Sequence, residues 1–575
     1  MIVPFGDTAL LVDVDDDLAA HRLAARIESD PAPPRGVGEI VIGLRTVLVH
    51  IDPLLADATG VATWLAGLGS AVASAASVAP AATSDPPPRR VEIPVTFDGP
   101  DLDDVAQTID ATAGDVAALL TSVELRVAFL GFAPGFPYLV GLPPSLAGIE
   151  RRASPRTQVP PGSVAVAAGF AAVYPQRTPG GWQLLGHTDV SMFDPEKPPF
   201  ALLRAGDMVR FTRADDSPRS HATADRDTTT RSTSTDKTDA TTHSPLDQAF
   251  GAADPSSRRL PLAASTDRYV EILEPGTLTL VQDAGRHGLA AIGVPAAGAA
   301  DPDGFRLANR LVGNPDGAAA FELTARGPTV RFSSGGYFAL VGDADLKLDD
   351  RPVAADTVVP VSTGQVLAVG VMRQALRSYL AVAGGLEGPV VLGSRSSDVL
   401  SGLGIGPLRP GDKVDLGVAG HPRGRLSPLE PSSTVRVVAG PHRASDPEIQ
   451  KLSHACWKVD DHSNRVGLRL SSPSGQTVIR PPSAGIPSCG MVTGAIQIPP
   501  GGQPIVLMPD HATVGGYPVI ATVISADWGA LGRLRPGDPV RFELVSVDEA
   551  RALRREHDRR LDKSVSGWFP TDSGT

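Results

Sequence analysis

Apolar and polar positions change rhythm along the chain, and the changes mark its parts. Ala9 to Val14 is a compact apolar run that predicts a strand, Leu18 to Glu28 repeats apolar residues at helical spacing, Glu39 to Ile51 is strand-rich, and Pro53 to Ala76 predicts an alanine-rich helix. Residues 1–80 therefore predict a small α+β module. From Val91 the pattern shifts to short apolar runs separated by Gly and Pro, with helices over Asp101 to Ile109 and near Asp115 to Leu120, and this second unit covers 88–213. Residues 214–265 are crowded with Ser, Thr, Asp, Arg and Pro around one aromatic, Phe250. Such a segment buries too little apolar surface to offset its ordering entropy, so a disordered linker is expected. Strand-like alternation resumes over Val270 to Val281, and an amphipathic helix is expected from Pro302 to Leu311, behind Asp301. Two lobes, 266–425 and 426–545, are expected to be barrels. Ser546 and Glu549 have capping-box spacing, which predicts a charged, solvated helix to about Lys563 within a tail over 546–575.

One uncommon string occurs twice. Thr178-Pro179-Gly180-Gly181-Trp182 leads to Leu203-Arg204-Ala205-Gly206-Asp207, and Thr513-Val514-Gly515-Gly516-Tyr517 leads to Leu534-Arg535-Pro536-Gly537-Asp538. Upstream, Pro161 to Val166 matches Thr493 to Ile498, so three blocks keep their order. Paired glycines ahead of an aromatic suit a turn where backbone approaches something else, and Gly-Asp before alternating residues suits a tight turn into a strand. Duplicated β-domains are the expectation. A third copy of the second block, Leu408-Arg409-Pro410-Gly411-Asp412, falls in the middle of the second half.

Composition narrows the function. With 60 Gly and 54 Pro in 575 residues, turn-rich β structure explains the chain better than helix. The net charge of −12 argues against a nucleic-acid partner. No run approaches a membrane span, Met1 to Asp7 does not start a signal peptide, and the two cysteines, Cys456 and Cys489, form no framework. A soluble cytoplasmic protein is expected, with oligomerisation possible. No P-loop string and no Ala-Met-Lys-Met biotin acceptor occurs. His454, Cys456 and His462 lack a fourth ligand, so no metal site is expected.

Several clusters have chemical potential. Phe129 to Leu139 packs two prolines, two glycines and four aromatics into eleven positions, and reads either as a core-facing turn or as a pocket wall through Phe132, Pro134, Gly135 and Phe136. Arg151, Arg152 and Arg156, ahead of the Gly162-Ser163 turn, suit a carboxylate or phosphate, or else a solvated surface. Gln282, Asp283 and Arg286 place an amide, an anion and a cation within five residues, next to Gly285, as a binding group or a structural salt bridge. Glu322 and Arg326 have the spacing of a helical pair, and Asn309 and Asn314 flank an apolar step.

These strings carry a resemblance. Gly131 to Leu142, Pro155-Arg156 through Ser163, Tyr174-Pro175 and Pro179 to Trp182 resemble the B component of bacterial ATP-dependent 5-oxoprolinase, also called allophanate hydrolase subunit 1 and sporulation-kinase inhibitor. The second half resembles the C component, or allophanate hydrolase subunit 2, through Val281 to Arg286, Gly293-Val294-Pro295, Ala308 to Asn314, Leu392 to Ser396, Ser463 to Gly467, Gly494 to Gln497 and Asp510-His511. The chain departs from that pattern at His187, at Cys489, where a Glu is usual, and at Asp510 to Gly516, which lacks the usual Gln and a Thr.

The resemblance implies a mainly β fold with an α+β N-terminal module and cyclophilin-like β-barrels duplicated across the two halves. It implies a B–C fusion that hydrolyses 5-oxo-L-proline to L-glutamate with a separate partner, the 5-oxoprolinase A component, and with ATP and Mg2+. Catalytic residues are then expected at Gln282, Asp283, Arg286, Asp510 and His511. Amide-substrate contacts are expected at the Phe132, Pro134, Gly135 and Phe136 wall, at Arg156 and Ser163, and at the paired turns Gly180-Gly181 and Gly515-Gly516. Asn309, Arg395 and Gln497 complete that set. Asp510 and His511 are adjacent, so at most one is expected to reach the site. Two alternatives stay open: the carboxyltransferase component of a biotin-dependent urea carboxylase, and a kinase-binding regulator.

Overall fold

The computed structural model describes residues 1–77, 88–214, 262, 266–422, 426, 434–442, 446–472, 479 and 486–565. Apart from Ala214 and Leu262, the linker expected over 214–265 lies outside the described residues. The chain is mainly β. Its N-terminal module is a four-stranded sheet in the order Ile2–Pro4, Ala9–Asp13, Thr46–Ile51, Val37–Ile42, covered by helices Asp17–Ser29 and Ala58–Ser77. The first helix starts where Asp16 accepts from Ala19 N at 2.7 Å, and it buries Ala20, Leu23, Ala24 and Ile27 against the sheet.

Two barrels share one strand plan. Around the first, the order is Arg90–Val95, Gln183–His187, Ser163–Ala167, Phe170–Val173, Pro137–Val140, Leu125–Leu130 and Met208–Arg213. Around the second it is Thr434–Ala439, Val519–Val523, Ala495–Gln497, Ile505–Leu507, Gly467–Ser471, Trp457–Val459 and Pro539–Leu544. In each ring the last strand returns parallel to the first, Met208–Arg213 on Arg90–Val95 and Pro539–Leu544 on Thr434–Ala439. A two-stranded flap accompanies both, Arg156–Val159 with Thr178–Gly180 and Cys489–Gly490 with Val514–Gly515. The duplication visible in the sequence is thus a duplicated barrel. The second ring closes through three residue pairs between Thr434–Ala439 and Val519–Val523, whereas the first closes through a single bridge, Thr96 to His187, with both hydrogen bonds at 2.9 Å.

The lobe over 266–422 differs from expectation: it is not a barrel but two sheets, of six and five strands, sharing one core that includes Phe321, Phe332, Phe338 and Leu380. The turn copy at Arg409 to Asp412 has the same local geometry as its relatives. Arg204 N, Arg409 N and Arg535 N donate to Asp207, Asp412 and Asp538 at 3.0, 2.7 and 2.9 Å, and Gly206, Gly411 and Gly537 all take φ near +90° (89°, 87° and 89°). Yet the following strand, Lys413–Asp415, pairs antiparallel with Tyr269–Glu274. The turn is local; the barrel depends on a distant partner.

Helix Pro302–Leu311 forms as expected, with Asp301 accepting from Asp303 N and Gly304 N at 3.1 Å. It packs Phe305, Leu307, Ala308 and Leu311 on the five-stranded sheet. The last helix, Val547–Ser564, is capped by Ser546 but is not a solvated tail. Asp558 takes Arg306 and Asp562 takes Arg310, while Ala550 and Leu561 are buried, so its charges are satisfied by the fold beneath it. Glu322 and Arg326 do not share a helix either: Glu322 lies in strand Ala320–Thr324, and Arg326 faces Glu274. Among the described residues no helix is long and apolar enough to cross a membrane.

The halves meet along a continuous apolar seam. Phe5, Leu11, Leu48 and Phe129 from residues before the linker share a core with Cys489, Met491, Leu507 and Val514. Leu44 N donates to Ser488 O at 2.8 Å, Gly135 N to Ile292 O at 2.8 Å, and Ser525 Oγ to Asp7 at 2.6 Å. A Cβ on Gly131 would stand 2.6 Å from the Val514 side chain, which is why this approach needs glycine.

Candidate functional site

A cavity of about 790 Å³ opens on this seam, a size suited to small-molecule sites. The first barrel contributes Phe132, Phe136, Tyr138, Phe170, Tyr174 and Trp182, whose rings meet edge to face except for the stacked pair Phe170–Trp182; Phe136 lies 5.1 Å from Tyr174 and 5.7 Å from Trp182. The second barrel contributes Met491, Gln497, Leu507 and Tyr517, and the two-sheet lobe contributes Leu400 and Ser401. The two repeated turns, Gly180-Gly181 and Gly515-Gly516, both line it, one from each barrel. Each flap thus brings its copy of the string to the one cavity.

Of the expected substrate contacts, Phe132, Phe136, Gly180, Gly181, Gln497, Gly515 and Gly516 line the cavity. The rest do not. Pro134 and Gly135 are buried behind Phe136, with Gly135 held at φ +76°. Arg156 is bound to Asp101 at 2.7 Å, Ser163 Oγ to Pro160 O at 2.8 Å, and Asn309 Nδ2 to Ala318 O at 2.7 Å. Arg395 pairs with Glu387.

The five expected catalytic residues lie behind the wall rather than in it. Gln282 donates to Ser397 O at 2.8 Å, and Arg286 to Val391 O at 3.0 Å and to Ser396 O. Burial would raise the Asp283 carboxyl, but donors from Ser394, Ser396, Arg395 N and Gly285 N bring it below its ordinary value. These three residues clamp the 391–398 loop. Asp510 lies in a turn, not a strand, and takes a two-pronged bond from Arg465 at 2.9 and 2.7 Å. Arg465 also reaches Glu322 at 2.6 Å, and Glu322 accepts from the Tyr379 hydroxyl and Ala300 N. Burial pushes the Asp510 carboxyl up to about 7 against the pull of Arg465. His511 is pushed down to about 4 by burial and faces Ala512 O at 2.8 Å.

This buried polar layer adjoins the cavity at Ser401. Leu400 N and Ser401 N both donate to Asp398 Oδ1 at 3.0 Å, and Arg286, Arg465 and Asp510 act electrostatically on or through Asp398. Gln282 Oε1, Arg286 Nη1, Asp398 Oδ2 and Ser401 Oγ are buried without a well-formed hydrogen bond among the described residues. The lining itself holds a single charged residue, Arg151, and no Asp, Glu, Lys or His among the described residues. It can grip, orient and dry a small ligand; it offers no direct general base. Sequence reasoning passed over Trp182, Phe170, Met491 and Ser401 as contacts. Trp182 and Tyr517 close the repeated string, and that position was the available signal.

Comparison with known proteins follows the same division. Residues 292–544 match the model "Carboxyltransferase domain, subdomain A and B", and residues 1–203 match "Carboxyltransferase domain, subdomain C and D". The C component of 5-oxoprolinase from Escherichia coli K12 is 36% identical over 303 residues, which cover 51% of this chain and 97% of that relative. The chain belongs to this carboxyltransferase-domain family. It is a fusion of two members: the B component of 5-oxoprolinase from Escherichia coli O157:H7 is 51% identical over 130 residues, 22% of this chain and 59% of that protein. The urea amidolyase of Lachancea kluyveri is 32% identical over 335 residues, yet the match spans only 18% of that much longer protein. The crystal structure of TTHA0988 superposes with a TM-score of 0.76 at 29% identity, covering 94% of this chain and 100% of that one. Family members thus supply both walls of the cavity, here carried by one chain.

Proposed function

We propose that this chain is the B–C component of a 5-oxoprolinase, which together with a separate A component opens the lactam of 5-oxo-L-proline to L-glutamate at the expense of ATP. The observation that carries the reading is the shared cavity: a B-like barrel and a C-like barrel each contribute one copy of the same Gly-Gly turn to it. Its flat aromatic walls suit a five-membered ring, and Gln497, Thr178 and Ser401 are polar handles for a lactam. The chain's own part is to hold the ring dry and fixed; water is excluded by the aromatic wall on one side and the aliphatic wall on the other.

The cavity does not fit magnesium-bound ATP. Among the described residues the lining offers one arginine, too little for a triphosphate, and no carboxylate to take the metal. Among the described residues no group of three or more His, Cys, Asp or Glu is arranged to hold a metal ion. We therefore assign nucleotide and metal to the separate A component. The two free cysteines suit a reducing compartment, so the cytoplasm is the proposed location.

The test is glutamate release from 5-oxoproline with the chain alone, with the A component alone, and with both plus ATP and magnesium. Glutamate only from the mixture is the expected result. A second reading, carboxyl transfer to urea, draws on the family description and the urea amidolyase match. Urea-dependent loss of carboxybiotin, with no glutamate from any mixture, would replace the first reading with the second.

A further inference from the structure

The three arginines ahead of the first flap have separate fates. Arg152 Nη1 and Arg156 Nη2 both donate to Asp101 Oδ1, at 2.6 and 2.7 Å, and Asp101 is buried and also accepts from Leu184 N at 2.7 Å. Their charge is spent inside the barrel. Arg151 makes no hydrogen bond or ion pair among the described residues. It lines the cavity from an exposed position, and its neighbour's backbone fixes it there, since Arg152 N donates to Gly181 O at 2.8 Å beside the Gly180-Gly181 turn.

Two further facts bear on what this cation meets. The Tyr138 and Tyr174 hydroxyls feel the Arg151 charge, and burial outweighs it, pushing Tyr138 up to about 12 and Tyr174 higher still. Both phenols stay protonated at neutral pH, and the Tyr138 hydroxyl makes no hydrogen bond among the described residues. The surrounding rings carry no charge. An unneutralised guanidinium, with a free phenol donor nearby, thus faces an aromatic box that contains no counter-ion among the described residues.

We propose that Arg151 is the carboxylate anchor of this cavity and selects a small monocarboxylate with a flat apolar body over a neutral amide such as urea. The inference deepens the reading of the cavity as the 5-oxoproline site and rests on it. A planar guanidinium meets a carboxylate with two parallel charge-assisted hydrogen bonds, which a neutral amide cannot match. The aromatic walls would hold the ring while the anchor sets its direction. A dianion would leave one charge uncompensated in the same box.

The experiment is calorimetric titration of the full chain with 5-oxo-L-proline, with 2-pyrrolidinone, which is the same lactam without the carboxylate, and with urea. The wild type is expected to bind 5-oxoproline at least about tenfold tighter than 2-pyrrolidinone, or about 1.4 kcal/mol, and urea more weakly than either. Arg151→Gln should bring 5-oxoproline to within about twofold of 2-pyrrolidinone, leave 2-pyrrolidinone binding and the melting temperature unchanged, and be partly rescued by Arg151→Lys. A tenfold preference that survives Arg151→Gln, or an equal loss for both ligands, overturns the anchor. If neither lactam binds the wild type, cyclopentanecarboxylate separates the two ideas. Arg151-dependent binding of that probe keeps the anchor and removes 5-oxoproline, and its failure to bind removes the anchor as well.

Discussion

The two barrels are built on one strand plan, but their matching loops do different jobs. In the first barrel, the loop between Leu125–Leu130 and Pro137–Val140 turns Phe132, Ala133 and Phe136 into the cavity. In the second, the loop between Trp457–Val459 and Gly467–Ser471 sends Arg465 the other way, into a buried network with Glu322 and Asp510, and offers only Val466 to the cavity. The first barrel's loop lines the cavity; the second barrel's loop anchors the two-sheet lobe behind it. Duplication preserved the ring and the flap while the loops diverged, because ring order is held by many ladder bonds and a loop by few.

The largest test of that contrast is Arg465→Met. It leaves Asp510 buried without its cation and Glu322 with only Arg377, at 3.6 Å, and a loss of about 3–5 kcal/mol is expected for breaking such a group from one side, read as a fall in melting temperature. A near-neutral result would mean that the second barrel's loop does not anchor the lobe. Gly186→Ala probes the weaker closure of the first ring, since a Cβ there runs into the Thr96 carbonyl. A cost of about 1–3 kcal/mol is expected, with faster amide exchange at Thr96 and His187 and no change at Val437 to Ala439.

Acid should loosen the seam through its buried histidines. His442 is pushed down to about 4 by burial, and Val519 N donates to its Nδ1 at 3.2 Å, which leaves the ring's proton on Nε2 beside Cys489. His511 is likewise lowered to about 4 by burial. Both pKa values lie below the unfolded value of 6.5, so the stabilisation is complete above about pH 6.5 and is lost as the pH falls towards 4. The Asp510 carboxyl, raised to about 7, gains stability as the pH falls through the same window, so the histidine contribution is read by difference: the melting temperature of His442→Gln should fall less between pH 6.5 and 4 than that of the wild type. The smallest effect concerns the shared turn. Asp412→Ala and Asp538→Ala should each cost about 1 kcal/mol, and Asp207→Ala more, because Asp207 also holds Arg89 at 2.5 Å. Unequal costs for Asp412 and Asp538 in thermal unfolding would show that the turn is not locally determined.

Much of this was legible in the residues. The helix over Pro302–Leu311 was placed at its observed ends because Asp301, Pro302 and the apolar spacing all act within one turn. The Gly-Gly repeat signals close approach, and a Cβ on Gly180 would run into the Tyr174 hydroxyl and one on Gly515 would stand 2.6 Å from Gln497, whereas Gly181 and Gly516 have more room. Glu322 was assigned helical spacing because a four-residue step says nothing about which strand lies alongside, and Tyr379 and Arg465 are distant in sequence. The last helix was expected to be solvated because its polar face is charged throughout, and the partners Arg306 and Arg310 come from a helix more than two hundred residues earlier.

What the sequence alone determined is whatever nearest neighbours control: turns through Gly-Asp pairs, helix starts through their caps, and a repeat that marks duplicated β units; their closure into rings rests on strands distant in the chain. Tertiary structure decided which polar groups are consumed and which remain for a ligand. Arg151, Arg152 and Arg156 have the same chemistry and lie within six positions, yet only the placement of Asp101, some fifty residues before them, separates two structural cations from one that is free. Charge neutralisation depends on distance in space, and that distance is set by the closed ring, not by the order of residues along the chain.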